Sequence, residues 1–576
     1  MNIRKFLEEK TRKHLEKLGV ENPPLIKTAS RPEHGHYQAN GIMAAAKEKG
    51  LNPRELAKEV VSSIETEESS DSFNLEIAGP GFINITISKA WINQILSIIS
   101  KDVRLGVSTQ KRKKFLTDYS SPNLAKEMHI GHLRSTTIGD ACSRILEFLG
   151  HQVIRTNHVG DWGSQFGSLL AYMNKLSKEE IALASELKDL ENFYRKASQL
   201  WREDQKFADE ARKFVVKLQS KDPECLELWS KFIEESMKHC QAVYDQLNIS
   251  LKQEHVVAES FYNEKLESIV KDLTEKNLIA ISDGAKCVFL EEWVGKDGEP
   301  TPAIIQKSDG GFPYITTDLA AARHRSQELN IDEALYFVDA RQTLHFRQLF
   351  HIALKAGFTR KDQSFRHIPN GIILSKEGKP YKTRQGGAVK LAEVLKESIS
   401  RAKSLVSDKN SALSEQEQII IAEIVGIGAI KYAELSKNRN TDYVFDWEKM
   451  LSFEGNTAPY LQYAYTRIKG ILNKSKRSNE KLSSDFSLQD PYEIQLALKL
   501  AQFTEAVESV VEDYQPNLLC NYLFELSQFF MTFYENCPVN TAEERIKISR
   551  LNLCDLTGRV LKKGLELLGI EVLDRM

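Results

Sequence analysis

FLTDYSSPNLAKEMHIGHLRST, residues 115–136, is the stretch on which the reading of the whole chain turns. Phe115–Tyr119 is short, apolar and aromatic and follows a basic run, KRKK at 111–114, so it reads as a buried strand. Ser120-Ser121-Pro122-Asn123 breaks that strand with turn chemistry. From about His129 onward Ile130, Leu133, Ile138, Cys142, Ile145 and Leu146 recur at three- and four-residue steps, which predicts a helix. A helix N-terminus after a strand attracts anions, because unpaired amide N–H groups and the macrodipole both point there. Gly131 carries no side chain, so a ligand can approach the backbone. His129 and His132 are three apart on nearly one face; each can donate a ring N–H to a phosphate, and either could be protonated near neutral pH. A lone histidine here would read as a cap or an exposed polar residue, but two flanking a glycine favour the phosphate reading.

Composition narrows the class. A chain of 576 residues holds three or more domains, since single cores stop growing near ~250–300 residues. Its 41% hydrophobic content is that of a globular protein. A net charge of −2 gives no global footprint for nucleic acid, so any such binding rests on local patches. No apolar run approaches the ~20 residues of a membrane helix, and MNIRKFLEEKTRKHLEKLG has no apolar core of a signal peptide. The 7 cysteines are scattered without a CxxC pair, which argues for reduced thiols in a cytoplasmic protein and against structural zinc. Neither GxxxxGK[ST] nor GxGxxG after a strand is found, so P-loop and dinucleotide readings lose their main support.

The 115–136 string resembles the HIGH signature of class I aminoacyl-tRNA synthetases. With Asp118, Ser120, Asn123 and Lys126 ahead of it, the longer string is similar to that of the arginyl-tRNA synthetases. A bare HxGH also occurs in other nucleotidyltransferases; the extended string is more specific. The resemblance covers essentially the whole chain. It implies a multidomain α/β protein: an α+β N-terminal domain (1–108), a Rossmann-like parallel-sheet catalytic domain (109–405) with a helical insertion near 170–250, and an all-α anticodon-binding domain (406–576).

Each region also has its own reading. An amphipathic helix is predicted over about 2–18, and strands over Phe73–Ile77 and Phe82–Ile87 around the Gly79-Pro80-Gly81 turn. Residues 33–50 read as a loop entering a helix; His34 and His36 lack further metal ligands nearby. By resemblance, Tyr37, Gln38 and Asn40 are stacking and hydrogen-bonding candidates for tRNA.

In the centre, strands alternate with helices, as a parallel sheet requires. His151–Thr156 is the second strand and ends in NHVGDWGSQ, where ligands gather in such sheets. Gly160 and Gly163 admit a flat ring beside the backbone, with Trp162 near it; a glycine-rich turn beside a buried Trp is the rival reading. Trp201, Phe207, Phe214, Leu218, Leu226, Trp229, Phe232 and Met237 have the spacing of a helical core. Cys287–Leu290 and Ala303–Gln306 read as strands, with turns at Gly295–Gly298. In GGFPYITTDLAAARHR, residues 310–325, Thr317 is a plausible N-cap and Asp318 suits a first turn. Glu259, Tyr314 and Asp318 are also the residue types that a planar guanidinium needs. Further strands are predicted at Leu335–Ala340 and His367–Ile373.

The loop LSKEGKPYKTRQGG, 374–387, offers Lys376, Lys379, Lys382 and Arg384 among glycines at a strand end, a setting suited to a triphosphate. The class signature KMSKS is absent, and Leu374-Ser375-Lys376-Glu377-Gly378-Lys379 stands in its place. Beyond 406 the strands stop, and aromatics interleave with basic and amide residues, as on a surface where bases stack and phosphates meet cations.

The resemblance implies ATP-dependent ligation of L-arginine to tRNA(Arg) through an arginyl-adenylate, by a cytoplasmic monomer without membrane contact. Catalysis falls to His129, Gly131, His132 and the 376, 379 and 382 lysines. ATP contact falls to Pro122, Lys126, Ile130, Gly160, Asp161 and Trp162 together with the HIGH residues. Arginine falls to Asp118, Ser120, Asn123, Glu259, Tyr314, Asp318 and Gln342, and tRNA to Tyr460 and Tyr534 besides the N-terminal trio. Magnesium travels with ATP, since no carboxylate cage is visible. Two alternatives stand beside this. A HxGH nucleotidyltransferase acting on a small metabolite leaves the helical tail without a purpose. A catalytically dead tRNA-binding paralogue predicts lost HIGH histidines, and both are present.

Overall fold

A computed structural model describes the chain except for residues 30, 68–70, 177–189, 291–300, 382–388, 411–412 and 476–484. The rest gathers into two compact units, one of Met1–Gln110, Ser452–Leu567 and Glu571–Met576, the other of Lys111–Leu451 and Leu568–Ile570.

In the first unit Asn2 caps the helix Ile3–Lys17 by accepting from the Lys5 N–H. Strands β1 (Ile26–Thr28), β2 (Tyr37–Ala39), β3 (Phe73–Ala78) and β4 (Phe82–Ile87) form an antiparallel sheet in the order β1-β2-β4-β3. The β3–β4 hairpin matches expectation. Tyr37–Ala39 is a paired strand where a loop is expected, a segment too short to show alternation. The remainder is helical, from Ala458–Lys474 to Glu544–Leu567. Polar links tie the two stretches of chain: the buried Tyr37 hydroxyl donates to Glu505 at 2.6 Å, and half-buried Arg559 donates to the Ser100 carbonyl at 2.6 Å.

The second unit is built on four parallel strands. β5 (Lys114–Asp118) and the Gly131–Phe148 helix lead to β6 (Gln152–Thr156). Helices follow, among them Pro223–Gln246 and Leu266–Glu275. Then β7 (Ala280–Ser282), β8 (Ala285–Val288) and β9 (Ala303–Gln306) pair antiparallel in a sheet of their own. The two strands expected at 287–290 and 303–306 thus lie outside the parallel sheet; β7 and β8 are joined by the two residues Asp283-Gly284, a connection that only antiparallel pairing allows. The turns expected at 295–298 lie outside the described residues. β10 (Glu333–Asp339) and β11 (Ser364–Asn370) complete the parallel order β11-β10-β5-β6.

β11 stops at Asn370. Its expected continuation is a separate strand, β12 (Ile373–Leu374), paired with β13 (Tyr443–Val444). The expected boundary near 405 moves to Leu451, because the helices Leu391–Lys409 and Glu415–Leu435 pack closely inside this unit. Gly426 allows the approach: a Cβ there would lie 3.0 Å from the Ile399 backbone. No helix among the described residues is long and apolar enough to cross a membrane.

Candidate active site at the carboxyl ends of the strands

After β5 the chain turns through Ser120 and Ser121, both at positive φ (72° and 44°), and runs alongside the end of β6. Leu124 N–H donates to the Gly160 carbonyl at 2.9 Å, and Gly160 N–H to the Pro122 carbonyl at 3.1 Å. Asn123 and Gly160 form an isolated parallel bridge, so both strand ends open on one side. Gly163 adopts φ 99°, a backbone that favours glycine whatever ligand lies near.

The helix begins at Gly131, two residues later than the pattern suggests. His129 folds back over that start. Gly131 N–H donates to its Nδ1 at 3.1 Å, and a Cβ at 131 would lie 2.8 Å from the imidazole. A side chain at 131 would therefore meet the His129 ring. His129 N–H donates to His132 Nδ1 at 3.1 Å, and the rings lie 4.0 Å apart. The His129 carbonyl is 3.2 Å from the same nitrogen, but the fixed direction of the backbone N–H assigns Nδ1 as the acceptor. Each neutral ring then carries its proton on Nε2. Burial, reinforced by the charge of His129, pushes His132 down to about 3. The expectation that either histidine charges near neutral pH is corrected for His132: it donates as a neutral imidazole.

The cationic loop is tethered to this tetrapeptide. Ile130 N–H donates to the Val389 carbonyl and Leu391 N–H to that of Met128, both at 2.9 Å. Lys390 pairs with Glu127 at 3.2 Å. At the other end, Ser375 N–H donates to the Lys379 carbonyl at 2.7 Å, closing a tight turn, and Lys376 lies 3.7 Å from Asp446. Lys379 is exposed on that turn; Lys382 and Arg384 lie outside the described residues.

Asp318 stands on the helix Tyr314–Arg323, which starts earlier than expected, with Pro313 in the N-cap position. Thr317 is thus no cap; it is buried within the helix. Asp318 accepts from His345 Nε2 at 2.7 Å and lies 3.5 Å from His158 Nε2. Burial alone would raise its carboxyl, but hydrogen bonds from the two histidines outweigh it and hold the group well below the usual range. Burial would lower His158, yet Asp318 raises it. Tyr314 is exposed, one helical turn from Asp318, with its ring 4.7 Å from that of His345. Burial, with Asp318 and Asp161 adding to it against His158, pushes Glu259 up to about 7. Glu259 N–H donates to the Val159 carbonyl, which holds Glu259 against the end of β6.

Other expected contacts are engaged internally. Asp118 is 4% exposed; Arg325 pairs with one of its oxygens at 2.6 Å and Ser121 donates to the other at 2.9 Å. Asp161 accepts from both the N–H and the hydroxyl of Ser260, while its carbonyl accepts from Trp229 Nε1 at 2.7 Å. Both carboxylates brace the strand ends. Ser120 is buried between the hydroxyls of Tyr244 (2.7 Å) and Thr136 (2.9 Å). Trp162 meets Trp229 edge-on at 5.8 Å, and Lys126 lies 4.6 Å over the Tyr194 ring. Pro122 and Ile130 are buried, and Gln342 is exposed just before the helix Thr343–Lys355. His158, His345 and Tyr244 are the residues that sequence reading missed. His158 follows the end of β6 in a stretch already singled out, which is the signal that could have found it; His345 sits in the first turn of the helix Thr343–Lys355.

A family described as tRNA synthetases class I (R), catalytic domain, matches residues 94–447. The arginine–tRNA ligase of Hahella chejuensis is 51% identical over the full length of both chains. The chain belongs to the arginyl-tRNA synthetase family. Two further matches agree, the arginyl-tRNA synthetase N-terminal domain over 2–87 and the DALR anticodon-binding domain over 461–576. The arginine–tRNA ligase of Mannheimia succiniciproducens is 49% identical, again over the whole of both chains. The crystal structure of arginyl-tRNA synthetase from Plasmodium falciparum superposes with a TM-score of 0.86 at 30% identity, covering 100% of this chain and 99% of that one. The Thermus thermophilus arginyl-tRNA synthetase, at 24% identity, shares the fold with a TM-score of 0.82 over 100% of both chains.

The tRNA candidates differ among themselves. Tyr37 is 0% exposed and bonded to Glu505, so its expected stacking role is corrected to an interior one. Gln38 donates to Asn84 at 2.7 Å, and Asn40 is half-buried. Tyr460 meets Phe524 edge-on at 5.7 Å. Tyr534 is 36% exposed, and the Arg467 guanidinium lies 5.3 Å from its ring and 5.2 Å from that of Tyr463.

Proposed function

We propose that this protein ligates L-arginine to tRNA(Arg) in two ATP-dependent steps. The observation that supports the choice of arginine most directly is the Asp318 carboxylate, kept ionised by His158 and His345 beside exposed Tyr314 and half-buried Glu259. A guanidinium is planar, always charged and rich in donors, and such a recess answers all three properties. In the first step the arginine carboxylate oxygen attacks the α-phosphorus of ATP, and the bond to the bridging oxygen breaks to release pyrophosphate. In the second, a terminal ribose hydroxyl of the tRNA attacks the adenylate carbonyl, and AMP departs with the former carboxylate oxygen.

Neither step needs a covalent enzyme intermediate, so the protein positions reactants and stabilises charge. His129 and His132 donate Nε2–H to ATP phosphates, Asn123 and Ser120 serve the α-groups of arginine, and Gln342 helps hold the amino acid. Lys376, Lys379 and Lys382 meet the departing β- and γ-phosphates. Gly160 and Trp162 flank the adenine ring. Magnesium carried by ATP supplies charge neutralisation on the triphosphate. Tyr460, Tyr534, Gln38 and Asn40 contribute tRNA contacts, and the enzyme works as a cytoplasmic monomer. Arginine-dependent exchange of pyrophosphate into ATP, with and without tRNA, tests this reading. Exchange driven by arginine and not by lysine is the expected result; exchange with neither would overturn it.

A further inference from the structure

The two segments that flank the reaction centre are tied together by a buried cluster not yet given a role. Arg134 lies on the helix Gly131–Phe148, which also carries His132, Glu434 on the helix Glu415–Leu435, and Tyr443 in β13. Arg134 and Glu434 are 1% and 0% exposed, with Arg134 Nε 3.2 Å from the Glu434 carboxylate. The Tyr443 hydroxyl donates to the other Glu434 oxygen, and the Arg134 guanidinium sits 5.3 Å from the Tyr443 ring. Arg134 also donates to the Thr441 carbonyl at 2.7 Å. Tyr443 pairs with Ile373 in β12, from which the turn carrying Lys376 and Lys379 springs. The far end of that loop is already fastened to Met128 and Ile130. The helix start and the root of the cationic turn are thus joined through one carboxylate.

We infer that Glu434 is a positioning residue for adenylate formation: through Arg134 and Tyr443 it sets the HIGH histidines and the Lys376–Lys379 turn in one register around the triphosphate. This rests on the function proposed above. A cluster serving only to hold the fold would need no polar groups, because apolar packing of the same volume usually stabilises as well or better. Its members reach the two phosphate-facing segments and no part of the Asp318 recess. Misregister should therefore slow chemistry and leave arginine binding alone.

The test is arginine-dependent pyrophosphate exchange at pH 8, above the value of about 7 to which burial lifts the Glu434 carboxyl. Rates are normalised to titrated active sites in the wild type, Glu434→Gln and Tyr443→Phe. Glu434→Gln is expected to lower kcat by roughly 10²-fold with the arginine KM unchanged within about twofold, and Tyr443→Phe to lower kcat by roughly tenfold. Tyr443→Phe removes a single oxygen and decides the matter if Glu434→Gln does not fold. An unchanged normalised kcat, whatever the thermal midpoint, would overturn the inference, as would a rise in arginine KM matching the whole loss. A wild-type protein that shows no exchange would instead overturn the functional reading.

Discussion

His132→Ala removes one preorganised donor from the helix start and is expected to slow adenylate formation by about 10²–10³. Single-turnover measurement checks this, and because His132 stays neutral, its loss should not move any pH optimum between 5 and 9. Asp318→Ala is expected to abolish arginine use while ATP binding persists, which equilibrium binding of each substrate separately reads. Glu259 behaves oppositely to Asp318: burial raises its carboxyl from 4.5 to about 7. Its raised value stabilises the fold fully below about 4.5, and that contribution is lost as pH rises through 7. A guanidinium beside it favours the ionised form, so the arginine KM should fall as pH rises through 7, and Glu259→Gln should flatten that limb. Tyr37→Phe tests the interior role of that hydroxyl. It is expected to lower stability by about 1 kcal/mol in denaturant unfolding, with tRNA affinity unaltered.

Elements divide into those whose order was plain from residue pattern and those set by packing. Phe115–Tyr119, the serine turn and the helix after it were legible because a short apolar run gives way, across a Ser-Pro break, to apolar residues at three- and four-residue steps. The family resemblance rested on that same string, and it carried the fold class. Three things were hidden. β7–β9 look like parallel-sheet strands because short apolar runs do not announce their partners. β12 and β13 are two residues each, paired across about seventy positions of chain, and no local pattern marks them. The histidines on Asp318 come from the end of β6 and from the helix Thr343–Lys355, so their convergence exists only in the fold. Gly131 shows the same limit: its necessity was predicted, but its cause is the His129 ring. Gly131→Ala should therefore displace that ring and reduce adenylate formation while leaving the thermal midpoint nearly unchanged, which activity and melting measured on one preparation will show.

At the scale of the molecule, the polypeptide is not a row of beads. The first hundred residues and the last helices close one unit, and the central 340 or so residues make the other. This explains the buried Tyr37, whose partner Glu505 is far away in sequence. With a net charge of −2, tRNA contact must rely on local features such as Arg467 between Tyr463 and Tyr534. Arg467→Ala should weaken tRNA binding and reduce the slope of its salt dependence by roughly 1, as read by titration across salt concentrations. The central claim is that the HIGH histidines, His132 among them neutral, and an ionised carboxylate recess share one sheet end and together activate arginine for transfer to tRNA. Charging of tRNA by the purified protein, with arginine and lysine supplied in parallel, measures this most directly. Esterified arginine at near one per tRNA acceptor, lost in Asp318→Ala, is the predicted outcome; equal charging with lysine, or arginine charging indifferent to Asp318, would contradict it.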